Sequence, residues 1–382
     1  MTGIYLDFAA TTPIDPRVRA AMEPLLSAHF GNPHAEHSDA IAPAAAIDTA
    51  EKQVAHLIGA QPGEIVFTSG ATEANNAALK GVMRSTQRRG DHLIVSAIEH
   101  SCVLESARAL ERSGCTVTFI PVDRLGYVTT GDVLDAVTPE TALISIMLVN
   151  NELGTRQPVR EIVQQVAGQG IVTHTDAAQA VARIRVDVHD LGVDLLSLSG
   201  HKLYGPKGIG ALYSSSDCPV RLEPLIHGGG QQGGRRGGTV PAFLCAGLGA
   251  AAEQAMDALN LSDTAFAAAR YFIESLDRAI EGVDFNGFGP TDYDGIVSVR
   301  FHDAKAIDVL QHLYGRVSAS LGSACHAGSI EPSHVLQAIG LDTAQMSESI
   351  RFSFGRDATE IEVDRAVSMI ADAVLRTRAL NL

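Results

Sequence analysis

Short apolar runs alternate with helical patterns along most of this chain. A run of four to eight apolar residues between turn residues is typical of a buried strand, whereas apolar positions three and four residues apart are typical of an amphipathic helix. The pattern predicts helices over residues 72–84, 101–113 and 159–167. It predicts strands over residues 64–68, 92–96, 116–121, 142–148, 170–175, 194–199 and 208–213.

These strands and their helical connections predict an α/β fold. Continuous apolar strands joined by helices form a largely parallel sheet that is covered on both faces. We therefore expect a large domain built on a mainly parallel sheet of seven strands. Ligands of such sheets bind beyond the carboxyl ends of the strands, so the loops that follow the strands are the expected place for a site.

Long helical stretches follow residue 240, and from residue 295 onward the pattern changes to a mixture of strands and helices. The predicted helices cover residues 240–258, 262–281, 304–313 and 359–378, and the predicted strands cover residues 296–301 and 349–354. We predict a large domain of residues 15–258. A smaller α+β domain is predicted from residues 1–14 together with residues 259–382.

Composition narrows the class of protein. The chain has 382 residues and a formal net charge of −15 at pH 7, which argues against direct binding of nucleic acid. It has no apolar run of transmembrane length and does not begin like a signal peptide, so we expect a cytoplasmic protein with no membrane partner. Its five cysteines are scattered and odd in number, which fits neither a disulfide framework nor a structural zinc site.

One lysine stands in unusual surroundings. Lys202 follows a predicted apolar strand and is flanked by glycine, serine and histidine in the run of residues 199–208. Desolvation and a neighbouring cation favour the neutral amine, which can form a Schiff base with a cofactor aldehyde. The alternative is an ordinary solvated surface lysine.

Polar residues follow several other predicted strands. Asp176 can pair with the protonated ring nitrogen of a pyridine cofactor. Gln179 can reach the hydroxyl of that ring if a helical turn begins there. His100 can stack on a ring, and Asn151 offers an amide at the same edge. Taken singly, each of these residues is as well explained as a turn or helix-cap residue.

A phosphate site is predicted where residues 68–73 join a strand to a helix. Backbone amides at Ala71 and the Thr72 hydroxyl can hold an anion against the helix dipole, with Ser199 and His201 as further donors. A plain helix cap is the alternative. Residues 228–233 match a dinucleotide glycine pattern but open no βαβ helix, so no such site is expected. No metal site is predicted.

Two residues of the predicted smaller domain point to chemistry. Cys325 lies in a loop of small residues, which suits a nucleophile that meets both a substrate and an acceptor. Arg351 alternates with apolar residues on a predicted strand and can clamp a substrate carboxylate, the alternative being an ordinary ion pair. Together with Lys202 and Asp176, the thiol suggests pyridoxal phosphate chemistry with a step that accepts sulfur.

The chain resembles the cysteine desulfurases of the nitrogen-fixation and iron–sulfur-cluster type. These belong to the class V aminotransferase superfamily of fold-type I enzymes, which depend on pyridoxal 5′-phosphate. The resemblance runs almost from end to end. Its matching segments are residues 5–13, 31–33, 69–73, 99–100, 150–152, 176–179, 199–208, 228–230, 238–239, 322–325 and Arg351.

The resemblance implies a role for each candidate residue. Lys202 carries the cofactor, Asp176 pairs with the ring nitrogen, Gln179 with the ring hydroxyl, and His100 stacks on the ring. Asn151 and Arg351 bind the substrate carboxylate beside the cofactor. The implied phosphate ligands are Ala71, Thr72, Ser199, His201 and, from the second subunit of a homodimer, Thr239.

The implied reaction converts L-cysteine to L-alanine and leaves a persulfide on Cys325. An acceptor protein then takes this sulfur for iron–sulfur cluster assembly or another thiolation pathway. A selenocysteine lyase or other carbon–sulfur lyase is the main alternative on the same fold. An aminotransferase and a non-catalytic sulfur-relay scaffold are the others. One departure from the family is Gln232, which stands in place of the usual glutamate beside an additional arginine.

Overall fold

A computed structural model describes residues 3–181, 183–261, 264–287, 295–322 and 332–380 of the chain. The strands of these residues are β1 (Ile4–Tyr5), β2 (Ile65–Thr68), β3 (His92–Ser96), β4 (Thr116–Ile120), β5 (Thr141–Ser145), β6 (Val172–Asp176), β7 (Leu195–Ser199), β8 (Gly210–Ser214), β9 (Val283–Asn286), β10 (Ile296–Phe301), β11 (Val317–Ser318) and β12 (Ser349–Ser353). Their α-helices are α1 (Pro16–Ser27), α2 (Ile41–Ile58), α3 (Ala71–Arg84), α4 (Ser101–Arg112), α5 (Thr130–Asp135), α6 (Val159–Val166), α7 (Val188–Leu191), α8 (Ala242–Leu261), α9 (Thr264–Ala279), α10 (Ala306–Leu313), α11 (His334–Ala338), α12 (Thr343–Ser347) and α13 (Glu360–Leu380). Among the described helices, none has the length and apolar character needed to span a membrane.

The large sheet has the strand order β2-β8-β7-β6-β5-β3-β4. Strands β7, β6, β5, β3 and β4 run parallel to one another, whereas β8 is antiparallel to both β2 and β7. The predicted α/β fold with a mainly parallel sheet of seven strands is therefore confirmed.

One predicted strand is shorter than its apolar run. Residues 142–148 predict a strand that the structure ends at Ser145. The amides of Ile146 and Leu148 still donate to the carbonyls of His174 and Asp176, over 3.1 and 2.9 Å. The run stays apolar past the strand because these residues remain buried where the chain leaves the sheet.

Alternate residues of each strand face opposite sides of the sheet, as the pleat requires. Phe67 and Ile94 lie in a core formed with α1, α2 and α8. Val66 and Val95 lie in a second core formed with α3 and α4. Because helices cover both faces of the sheet, a ligand can reach it only where the strands end.

A smaller unit packs around the antiparallel sheet β12-β10-β9. Its core combines Ile4 and Leu6 with side chains of α9, α10 and α13, and β1 pairs with β11. The start of the chain thus packs with its last third, the region where the sequence predicts a smaller domain. The boundaries themselves stay predictions, and α8 runs past residue 258 to Leu261.

Helix α11 rests on the ends of the large sheet. Val335 and Leu336 form an apolar cluster with Ile98, Met147 and Leu153. The ring of His334 also bonds to the Glu99 carbonyl, over 2.9 Å. The smaller unit is thereby held against the strand ends where a ligand is expected.

Candidate active site

A pocket of about 720 Å³ lies at the carboxyl ends of the large-sheet strands. Of the twelve predicted site residues, ten line it: Ala71, Thr72, His100, Asn151, Asp176, Gln179, Ser199, His201, Lys202 and Arg351. Thr239 is exposed and does not line the pocket, and Cys325 lies outside the described residues. Residues spread over 280 positions of sequence therefore meet at one sheet edge.

The start of α3 forms one end of the pocket. Its N-cap is Gly70, which has no side chain to accept from the first-turn amides and has a φ of 150°. A Cβ built on Gly210 would lie 2.7 Å from the Gly70 Cα, so glycine lets β8 pass close beneath this turn. Free amides at the start of a 14-residue helix suit a phosphate group.

His201 and Lys207 add polar groups at the same end. Burial, Lys202 and Lys207 lower the pKa of His201 to about 4, so this imidazole is neutral at pH 7. Its Nδ1 lies 3.2 Å from the Thr11 hydroxyl oxygen. Lys207 also lines the pocket, a cation that the sequence analysis did not select, although it stands only five residues after Lys202.

Lys202 ends the helical turn that follows β7. Its Nζ donates to the carbonyl of Ala10, over 2.8 Å, and also to that of Ala9. The Thr12 amide and hydroxyl both donate to the His201 carbonyl, each over 3.0 Å. The first residues of the chain therefore hold the lysine turn in place.

The turn after Lys202 is itself strained. Tyr204 has a φ of 60°, a left-handed conformation that a residue with a side chain seldom adopts. Its amide donates to the Thr12 hydroxyl over 2.9 Å, and its carbonyl accepts from the Asp15 amide over 3.0 Å. The segment 12–15 stabilises this conformation and so fixes where Lys202 emerges.

Asp176 ends β6 as a nearly buried carboxylate, 5% exposed. Its Oδ2 accepts from Asn75 Nδ2 over 2.6 Å, and its Oδ1 accepts from the Ala178 amide over 2.9 Å. Two donors orient the carboxylate within the pocket wall. Asn75 was not selected from the sequence; it stands on the face of α3 that is otherwise formed by Ala74, Ala78 and Leu79.

Gln179 lies beside this carboxylate. Its Nε2 donates to the Ala9 carbonyl over 2.9 Å, while its buried Oε1 has no hydrogen-bond partner among the described residues. A buried amide oxygen without a donor is costly. The hydroxyl of a bound ring can supply that donor.

His100 is the N-cap of α4, and its Nδ1 accepts from the Cys102 amide over 3.2 Å. Cys102 also lines the pocket, a residue that no sequence motif singles out. Burial raises the pKa of Cys102 to about 12 and that of Cys218 to about 11. Neither thiol is a thiolate at pH 7.

Arg351 lies in the middle of β12 and is only 4% exposed. Its Nη2 donates to Asp7 Oδ1 over 2.8 Å, and its Nη1 donates to the Asn151 carbonyl over 3.0 Å. The ion pair considered from the sequence is thus present. Its Nε is buried without a partner among the described residues, so an N–H remains for a carboxylate.

The unusual Gln232 has a clear structural reason. Its Oε1 accepts from the Phe67 amide over 2.6 Å, and its Nε2 donates to the Phe67 carbonyl over 2.9 Å. An amide can satisfy both groups of the edge strand β2, which an ionised glutamate cannot do. Arg236 ties the same loop to Glu73 in the first turn of α3, over 2.8 Å.

Pyridoxal phosphate fits the residues present. The start of α3 suits its phosphate, Asp176 suits its ring nitrogen, and the unpartnered Gln179 Oε1 suits its ring hydroxyl. Lys202 brings a primary amine into the same pocket. Among the residues described, no group of three or more histidine, cysteine or acidic side chains is placed to hold a metal ion.

Known proteins are similar to this chain in sequence and in fold. The family model described as Aminotransferase class-V matches residues 4–366. A cysteine desulfurase of Rattus norvegicus is 45% identical over 380 residues, which cover 99% of this chain and 84% of the relative. A solved NifS-like protein has a TM-score of 0.89 at 32% identity and covers 97% of this chain and 99% of its own. SspA, solved in complex with cysteine, has a TM-score of 0.82 at 41% identity over 92% of this chain and 98% of its own.

The matched residues include every residue that lines the pocket. The seven-stranded sheet, the lysine turn after β7 and the buried aspartate at the end of β6 all fall inside the matched range. The predicted resemblance to the class V aminotransferase superfamily is therefore confirmed. The chain belongs to the aminotransferase class-V family.

Proposed function

We propose that the pocket binds pyridoxal phosphate and L-cysteine and that the chain is a cysteine desulfurase, with Cys325 as the residue that receives the sulfur. The observation that carries this proposal is the meeting of Lys202, Asp176 and Arg351 in one pocket beyond the strand ends. A lysine amine, a carboxylate and a guanidinium are the groups needed to hold an aldehyde cofactor and an amino acid. The named activity of the rat relative and the cysteine bound by SspA support the substrate.

The bound cofactor supplies an aldehyde and a ring that withdraws electrons from the substrate. This chain supplies position and charge. Asp176 offers its carboxyl group to the ring nitrogen, and Gln179 offers its Oε1 to the ring hydroxyl. The amides of Ala71 and Thr72, with Ser199 and His201, hold the phosphate. The imidazole of His100 stacks on the face of the cofactor ring.

Lys202 binds the cofactor and later moves protons. In the structure its Nζ is held by the carbonyls of Ala9 and Ala10. With its amine free of the cofactor, Lys202 would again donate its N–H groups to these two carbonyls. The amine then stays close to the substrate carbon, where it can take and return a proton.

Arg351 and Asn151 bind the substrate carboxylate. The Cys325 thiolate then attacks the substrate sulfur, so that a sulfur–sulfur bond forms as the carbon–sulfur bond breaks. The electron pair of the broken bond stays with the substrate carbon, which takes up a proton. The products are alanine and a Cys325 persulfide.

The later steps involve partners. We propose that an acceptor protein takes the persulfide sulfur for iron–sulfur cluster assembly or another thiolation pathway. We also propose a cytoplasmic homodimer in which Thr239 reaches the cofactor of the second subunit. The exposed position of Thr239 outside its own pocket supports this arrangement.

The test is to incubate the holoenzyme with L-cysteine, digest it without reductant and analyse the peptides by mass spectrometry. Trypsin releases residues 317–351 as one peptide, whose single cysteine is Cys325. We expect this peptide to gain about 32 Da, one sulfur atom, while alanine accumulates. Both signals should vanish in Cys325→Ala, and Cys218→Ala is the matched control that should keep them.

Other outcomes identify the alternatives. Alanine without a persulfide would indicate a carbon–sulfur lyase, and faster product formation from L-selenocysteine than from L-cysteine would indicate a selenocysteine lyase. A persulfide on a cysteine other than Cys325 would keep the activity and refute the assigned nucleophile. Neither product in protein that carries bound cofactor would refute the substrate.

A further inference from the structure

Cys102 lies in the pocket wall without a role in the reaction described above. It is the second residue of α4, two positions after the cap residue His100. Its Sγ lies 3.0 Å from His100 Nδ1 and 3.2 Å from Asn75 Nδ2. The thiol therefore touches both a ring-stacking candidate and the residue that orients Asp176.

The backbone decides which nitrogen of His100 carries the ring proton. The Cys102 amide points its N–H at His100 Nδ1, over 3.2 Å. An N–H can be donated only to a nitrogen lone pair, so Nδ1 is an acceptor and the proton of the neutral ring lies on Nε2. A proton on Nδ1 would meet the amide hydrogen and break the helix cap.

The donors around the thiol fix its own proton in the same way. Asn75 Nδ2 has two hydrogens, of which one goes to Asp176 Oδ2 over 2.6 Å and the other to Cys102 Sγ. Because the sulfur accepts from Asn75, its own hydrogen is available for the acceptor on its other side, His100 Nδ1. Burial keeps that hydrogen in place, since the pKa of Cys102 is raised to about 12.

We propose that Cys102 is a positioning residue for His100: its N–H and its S–H both donate to Nδ1 and hold the ring as the Nε2–H tautomer. His100 then acts toward the cofactor and substrate as an N–H donor, and the removal of protons is left to Lys202. This deepens the cysteine desulfurase function proposed above and rests on it for the role in turnover. The chain of contacts also links His100 to Asp176 through Cys102 and Asn75.

The tautomer is measured first, on the apoenzyme, with no substrate and no turnover. Protein labelled with ¹⁵N-histidine gives separate Nδ1 and Nε2 signals, and those of His100 are identified by their loss in His100→Gln. We expect an unprotonated Nδ1 and a protonated Nε2 at pH 7. A protonated Nδ1 in the wild-type protein would overturn the proposal, and this measurement requires no Cys102 variant to fold.

The thiol is then tested by substitution in the holoenzyme. Removing one hydrogen-bond donor to a side chain that must be held in place during the reaction raises the activation free energy by about 1.4 kcal/mol. This corresponds to an about tenfold lower rate. Cys102→Ala should thus lower kcat for alanine formation about tenfold and shift the His100 Nδ1 signal, whereas the amide of residue 102 keeps the ring as the Nε2–H tautomer. Cys102→Ser keeps a donor and should stay within about threefold of wild type. Cys218→Ala, which removes a partly buried thiol outside the pocket, should leave both readouts unchanged.

Two results would refute the role of the thiol. One is a Cys102→Ala enzyme whose kcat and His100 signals equal those of the wild type. The other is a Cys102→Ser enzyme as impaired as Cys102→Ala, which would mean that packing rather than donation matters. If the wild-type enzyme forms no alanine from L-cysteine, the proposed function fails, and the apoenzyme signals alone decide the tautomer.

Discussion

Asp15, Arg17 and Arg356 form a cluster of ion pairs beside the turn that carries Lys202. The substitution Asp15→Asn removes one charge from this cluster. Asp15 caps α1 and accepts from the Arg17 amide and guanidinium over 2.8 to 3.0 Å. Its Oδ2 also accepts from Arg356, whose guanidinium lies 4.0 Å from the centre of the Tyr204 ring. The cluster therefore stabilises the strained Tyr204, two residues beyond Lys202.

The expected loss of stability can be worked from these contacts. Asparagine caps helices as well as aspartate, so the cap is kept and only the ion pairs are lost. The Arg17 side chain is 63% exposed, so that pair contributes about 0.5 kcal/mol. The Arg356 side chain is 21% exposed and that of Asp15 4%, so this charged hydrogen bond contributes about 1.5 kcal/mol. We expect a loss of about 2 kcal/mol at pH 7.

The loss should depend on pH with a definite sign. Hydrogen bonds from Arg17, followed by the Arg356 contact, hold the pKa of Asp15 well below its usual range against the opposing effect of burial. A lowered pKa in the folded state stabilises the protein above the unfolded value of about 3.9. This stability is lost as the pH falls through the folded value. The difference between wild type and Asp15→Asn should therefore shrink below about pH 4.

Thermal unfolding followed by circular dichroism measures this difference. An unfolding entropy of about 2.1 cal/mol/K per residue gives about 0.8 kcal/mol/K for 382 residues. A loss of 2 kcal/mol thus lowers Tm by about 2.5 °C at pH 7. The control is Asp357→Asn, which removes an 87% exposed partner of the same Arg356 and should change Tm by less than about 0.6 °C. An equal effect of both variants at pH 7, or a difference that does not shrink between pH 5 and pH 3, would refute the reasoning.

Two further predictions concern the edge strand and the substrate. Gln232→Ala removes both hydrogen bonds to the Phe67 backbone and should lower the free energy of unfolding by about 2 kcal/mol. A urea unfolding midpoint equal to that of the wild type would contradict this prediction. Arg351→Lys keeps the positive charge but loses the planar set of N–H donors, so KM for L-cysteine should rise about tenfold with a smaller change in kcat. Steady-state assays of alanine formation measure both constants. A fall in kcat alone would mean that Arg351 does not bind the carboxylate.

The pattern along the chain was sufficient to predict the sheet and the part of the site that lies at strand ends. Each strand of the large sheet is an apolar run, and a run of that kind ends where the chain turns toward solvent. Asp176 and the turn to Lys202 follow directly after such runs, so their meeting at one edge could be expected. Gln179 followed from Asp176 by local spacing.

Other pocket residues gave weaker signals. Asn75 was detectable only as a single polar side chain on the alanine and leucine face of α3. Cys102 was scarcely detectable, because a cysteine among apolar residues is usually a small core residue. Ala9 and Ala10 act through backbone carbonyls, which every residue has, so no residue type could reveal them.

The sequence by itself determined the fold class, the sheet and the strand-end residues, because hydrophobic periodicity is a local property that each segment carries alone. Tertiary structure decided which distant groups meet. Asn75 lies 101 residues before Asp176, and Ala9 lies 193 residues before Lys202. These partners are set by how α3 and the first residues of the chain pack against the sheet, and that packing is a property of the whole chain. This packing sets the orientation of Asp176, the hydrogen bonds that position Lys202 and the tautomer of His100.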